Sequence, residues 1–139
     1  MAISPGLRAS FEHTVTEADT AAAVGSGDLP VLATPRVLAL AERASVQAVA
    51  GALGPEATTV GARVELEHLQ ASPVGAALRV EAVLERVAGR RLEFSFRLLD
   101  AELLAARGWV TRVVVDRAGF LRGAAATRAG PQSPEVDLG

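Results

Sequence analysis

A single helical stretch followed by a series of alternating runs leaves this chain few ways to fold. The stretch "LATPRVLALAERASVQAVAGAL", Leu32 to Leu53, carries apolar residues at helical spacing. Thr34 followed by Pro35 is a start signal, since a threonine hydroxyl can cap orphan amides and proline suits the first helical position. The helix is therefore expected from Thr34 to Ala52. Ahead of it, "LRASFEHTV" puts Leu7, Ala9, Phe11, His13 and Val15 on one parity, a first strand. The turn-rich "GSGDLP", Gly25 to Pro30, makes a loop that can serve as a lid.

Beyond the helix the chain alternates with period two. Val60, Ala62, Val64, Leu66 and His68 alternate with Gly61, Arg63, Glu65, Glu67 and Leu69, the pattern of a half-buried strand whose apolar face ends in histidine. Leu78 to Leu84 and Leu92 to Leu98 alternate in the same way and join through "AGRR", Ala88 to Arg91, as a hairpin. "GWVTRVVVD", Gly108 to Asp116, has the β-branched content of a sheet interior. The predicted order is strand, helix, four strands. At 139 residues one domain is expected over 1–122, with 123–139 as a flexible C-terminal tail.

Within the helix, Leu38, Val46, Val49 and Leu53 fall on one stripe and Arg36, Arg43 and Gln47 on the opposite face. Glu42 lies in the middle of the apolar stripe. A carboxylate taken from water needs a partner, and His68 on the following strand is the partner the sequence offers. Each residue also has a plain structural reading. Glu42 can be a satisfied structural group or an oligomer contact, His68 a structural strand-end histidine, Thr34 a cap, and Pro73 with Gly75 an ordinary turn.

Composition narrows the partner class. Half the residues are hydrophobic and the net charge is −2, which recommends neither nucleic acid nor membrane and favours a small-molecule partner. With no cysteine the chain can form neither a disulfide nor a thiolate metal site, so a reducing compartment, the cytoplasm, is expected. The N-terminal "MAISPGLRAS" lacks the apolar run of a signal peptide, so a soluble protein is expected. All fourteen basic residues are arginine, and asparagine is absent, as in proteins from hot habitats or biased genomes.

"ATPRVLALAERAS", "TVGARVELEHLQASPVG" and "AGRRLEFSFRLLD" together resemble the hotdog-fold thioesterases of the fluoroacetyl-CoA thioesterase family, from about Leu7 to Phe120. The resemblance implies an α+β hotdog fold, an antiparallel sheet wrapped around one long central helix. It implies a catalytic set of a helix-start threonine, a glutamate eight residues on and a histidine twenty-six further, which Thr34, Glu42 and His68 reproduce. Gly61 matches a position whose backbone amide serves the thioester oxyanion, and Arg112 an arginine near the acyl-CoA site. A homodimer or higher oligomer follows from the same resemblance, with sites between subunits. The chain reads "GSGDLPVL" where the fluoroacetyl enzyme has a phenylalanine-rich lid, and proline follows Thr34 where a small residue is usual.

The chemistry so implied is hydrolysis of a small acyl-CoA to the free acid and CoA. It needs a nucleophile, an oxyanion donor and a proton for the thiolate, and no metal or cofactor beyond the CoA of the substrate. His68 suits proton transfer, and Glu42 attacks the acyl carbon or activates water. The rival class is a non-catalytic acyl-CoA-binding or structural hotdog dimer. A hydratase would need an Asp/His arrangement for which the sequence has no clear motif.

Overall fold

The computed structural model describes residues 2–129. Five antiparallel strands form one sheet: β1 (Arg8–Thr14), β2 (Ala57–His68), β3 (Ala77–Ala88), β4 (Arg91–Asp100) and β5 (Leu103–Asp116), in the spatial order β1-β3-β4-β5-β2. Across its concave face runs the long helix α2 (Thr34–Val49), preceded by a 3-10 turn at Glu17–Asp19 and a short helix α1 (Ala21–Val24). This is the hotdog arrangement of an α+β protein.

The alternation works as the sequence predicts along β3 and β4. Leu78, Val80, Ala82 and Leu84 on β3, and Leu92, Phe94, Phe96 and Leu98 on β4, are all buried. The helix meets them with Val37, Leu40, Ala41, Ala44, Ala48 and Val49. Three of these are alanines, which let the helix axis sit close over the phenylalanines. Truncating Leu40 or Phe94 to alanine would open a cavity costing about 2–5 kcal/mol.

The helix is rotated from its expected setting. Val46 is exposed and Leu38 half-buried, so the stripe through Leu38, Glu42 and Val46 flanks the core instead of filling it. The arginines opposite are engaged as well: Arg43 stacks over the Phe11 ring at 4.1 Å, and Arg36 reaches Asp19. At the other end, α3 (Arg117–Ala129) is helical where a tail was expected from 123, and the rest of that expected tail, 130–139, lies outside the described residues.

Strand β2 departs from the expected parity. Its register against β5 slips between Gly61 and Arg63, a bulge at Ala62, so Gly61 pairs with Arg112 and Val64 with Val110. Gly61 thereby joins Val64, Leu66 and His68 on the face toward α2, while Val60, expected there, takes the opposite parity and Ala62, also expected there, is the exposed bulge residue. The bulge carries a glycine into the layer that holds Glu42.

Candidate active site

Two polar constellations lie between α2 and β2. The first is at the start of the helix, where Thr34 Oγ1 and His68 Nδ1 share a hydrogen bond of 2.9 Å. Thr34 is not the cap that the sequence suggested: the N-cap residue is Ala33, with no side-chain hydrogen bond, and Thr34 is the first helical residue. Its hydroxyl is consequently free to meet the histidine. Nε2 of His68 is buried without a hydrogen-bond partner among the described residues. Burial lowers the His68 pKa below 6.5, opposed in part by a backbone hydrogen bond at Gln70.

The second constellation lies two turns along the helix. Arg112 Nη1 donates to Glu42 Oε2 at 2.7 Å, its Nε to Thr59 Oγ1 at 2.8 Å and its Nη2 to the Thr59 carbonyl at 3.0 Å. All three guanidinium nitrogens are used, so the group is fixed in orientation. The Arg112 side chain is 8% exposed and that of Glu42 32%. Glu42 is therefore half-buried, and its partner is Arg112 rather than His68. A Cβ placed on Gly61 would collide with Glu42 Oε2, which makes glycine the residue that lets the carboxylate lie against the strand.

Of the five residues predicted for the site, the structure joins Thr34 to His68 and Glu42 to Arg112 and Gly61. It does not join the two groups within one chain. Glu42 stands eight positions beyond Thr34, about 12 Å along the helix axis. Thr59 is the member sequence reasoning missed, because nothing in "ATTVG" tells one threonine from the next.

A cleft of about 300 Å³ opens beside Thr34 and His68. Ala21, Val31, Leu32 and Ala33 give it an apolar wall, with Ser26 and Gln70 as further polar groups and no charged side chain. Among the described residues no group of three or more histidines or carboxylates is placed to hold a metal ion, and no helix is long and apolar enough to cross a membrane. A hydroxyl and an imidazole line the apolar cleft, and a fixed carboxylate stands two turns away on the same helix; these are group types that acyl transfer to water uses.

A family model described as fluoroacetyl-CoA-specific thioesterase matches residues 15–118. Among solved structures, a variant of the fluoroacetyl-CoA-specific thioesterase FlK in complex with fluoroacetate and CoA is 27% identical, with a TM-score of 0.78 over 85% of this chain and 99% of that one. A thioesterase superfamily member from Thermus thermophilus is 27% identical, with a TM-score of 0.80 over 92% of this chain and 98% of its own. A hot-dog-like protein from Thermanaerovibrio acidaminovorans, 22% identical, has the same fold, with a TM-score of 0.83 over 94% and 96% of the two chains. No curated protein sequence matches significantly.

Proposed function

The chain belongs to the fluoroacetyl-CoA-specific thioesterase family and is a thioester hydrolase, and we propose that its substrate is a small, uncharged acyl-CoA cleaved in a site shared by two copies of the chain. The observation that carries this reading is the symmetric placement of the two constellations. On α2, Leu38 stands four residues from Thr34 and four from Glu42; on β2, Gly61 and His68 are equally far from the Val64–Glu65 midpoint. A two-fold axis past Leu38 and that midpoint brings Glu42 and Gly61 of one copy toward Thr34 and His68 of the other. Two features favour such an axis: β2 is an edge strand whose outer side is unpaired among the described residues, and Val46 is exposed on α2.

In this site the acyl group occupies the Thr34–His68 cleft, whose wall suits a neutral apolar chain. The Gly61 amide donates to the developing oxyanion, a contact worth about 3–4 kcal/mol where such donors have been removed. Glu42, held by Arg112 through one oxygen, presents the other to the carbonyl carbon directly or through a water. Neutral His68, oriented by Thr34, takes a proton from the hydrolytic water and passes it to the departing thiolate. The C–S bond breaks, a C–O bond forms, and the free acid and CoA leave.

A thiol-release assay across acyl-CoAs of increasing chain length, with fluoroacetyl-CoA and aryl-CoAs included, tests the reading. Turnover that favours short neutral acyl groups is expected. CoA binding without turnover of any of them would leave the acyl-CoA-binding dimer.

A further inference from the structure

Asp19 takes no part in the chemistry above, yet it is the most heavily bonded carboxylate of the described residues. Its side chain is 4% exposed. Oδ1 accepts from Arg36 Nε at 2.9 Å; Oδ2 accepts from the Thr16 amide at 2.9 Å and the Thr16 hydroxyl at 3.2 Å, and lies 2.8 Å from His13 Nε2. Burial acts to raise its pKa, but the bonds from Thr16, His13 and Arg36 outweigh it and hold the group at about 2. Its backbone carbonyl accepts from the Ala33 amide at 2.9 Å.

Two of these ties reach the start of α2, and they bracket Thr34. Ala33 precedes it and Arg36 follows within the same turn. The helix has no side-chain cap to fix that turn, because its N-cap is an alanine. The bonds to Ala33 and Arg36 supply the missing constraint, and the setting of this turn decides whether the Thr34 hydroxyl reaches His68. The same anchor holds the cleft wall. Thr20 bridges to Leu32 and the Ala21 amide donates to the Val31 carbonyl at 2.8 Å, so the residues that follow Asp19 are stitched to those that line the cleft.

We propose that Asp19 is a positioning residue of the thioesterase site, clamping the first turn of α2 and the adjoining cleft wall so that Thr34 stays within hydrogen-bond reach of His68. It contacts neither of them. The proposal rests on Thr34 and His68 being working groups, and one readout is independent of that role. The chain has two histidines, His13 and His68, so ¹⁵N-histidine labelling gives two ring systems, told apart by the signals lost in His68→Ala.

In Asp19→Asn the Nδ1 signal of His68 should move toward its position in Thr34→Ala. The kcat should fall about tenfold to a hundredfold while KM changes by less than about twofold, as for a misplaced catalytic group. If that variant fails to fold, Arg36→Leu removes only the partly exposed arm of the clamp and should shift both readouts the same way, with Arg36→Lys restoring them. Folded variants in which only the His13 signal moves and kcat is unchanged would overturn the proposal. So would a loss of activity that tracks the folded fraction while the His68 signal stays in place. Full turnover by Thr34→Ala and His68→Ala would instead remove the assigned chemistry, and the His68 signal would still report whether Asp19 sets the pair.

Discussion

Thr34 and His68, thirty-four positions apart, meet at 2.9 Å, and that hydrogen bond separates the histidine from the glutamate that shares the helix with the threonine. Glu42 is committed to Arg112 at 2.7 Å. Acid and imidazole thus stand in two separate clusters of one chain. Each cluster is internally hydrogen-bonded, the preorganisation that the proposed chemistry requires.

Glu42→Gln separates catalysis from structure. Its amide oxygen can still accept from Arg112 Nη1, so the thermal midpoint should move by no more than a few degrees. The carboxylate proposed to attack the acyl carbon or activate water is gone, and on that proposal kcat should fall at least about 100-fold. The double variant with His68→Ala should be little worse than the poorer single, as for groups that act together. Near-normal turnover by folded Glu42→Gln would remove the catalytic assignment.

Gly61→Ala tests the close approach of strand and carboxylate. The added Cβ would collide with Glu42 Oε2 and lie 3.5 Å from both Glu42 Cδ and Arg112 Nη1. Glu42 must leave Arg112 or the strand must shift, at a cost of about 1–3 kcal/mol. A lower thermal midpoint together with a kcat loss is expected. Gly54→Ala, with nothing within 4 Å of the new atom, should change neither.

Much of this architecture was legible in the sequence, because the buried faces of β3 and β4 follow strict alternation and the helix start carries Thr34–Pro35. The failures have local physical causes. Alternation cannot reveal a bulge, so Val60 and Ala62 were expected on the face that Gly61 occupies. The helix turned its alanines to the core because Ala41, Ala44 and Ala48 permit close packing, whereas a count of bulky residues favours Leu38 and Val46. The Glu42–Arg112 pair spans seventy positions, and no periodicity encodes such a contact. The same holds for Asp19, whose side-chain partners come from β1, the residue capping the 3-10 turn and α2.

The turn between β4 and β5 also escaped, since "DAEL" holds no turn signal. Ala101 and Glu102 adopt φ of 46° and 75° there, a two-residue hairpin loop that asparagine and glycine fill with less strain. Replacing the pair by Asn and Gly should stabilise the protein by about 1 kcal/mol with kcat unchanged. Paired thermal and kinetic measurements check it.

The pH profile follows from His68. In the proposed mechanism the residue works neutral, and burial places its pKa below 6.5, so the acid limb of kcat/KM should have its midpoint below 6.5. Stability changes in the same direction. The unfolded histidine takes up its proton near 6.5 and the folded one only at lower pH, so stability falls as pH drops from 6.5 toward the folded pKa. His68→Gln should lose that part of the slope. An acid limb at or above 6.5 would contradict the assignment.

Mixing two inactive variants tests whether the site is shared between subunits. A homodimer of Glu42→Gln has two defective sites, and so has one of His68→Ala. In a mixed dimer with shared sites, one site collects both substitutions and the other neither. Co-expression with separate tags and random pairing yields half mixed dimers, each with one intact site of two, hence about a quarter of wild-type activity. Sites built within one chain predict no recovery, because every site would keep its own substitution. Sedimentation of the mixture at micromolar concentration should report dimers, and purification through both tags isolates the mixed species. That species should then show about half the wild-type activity, carrying one complete site where the wild type carries two.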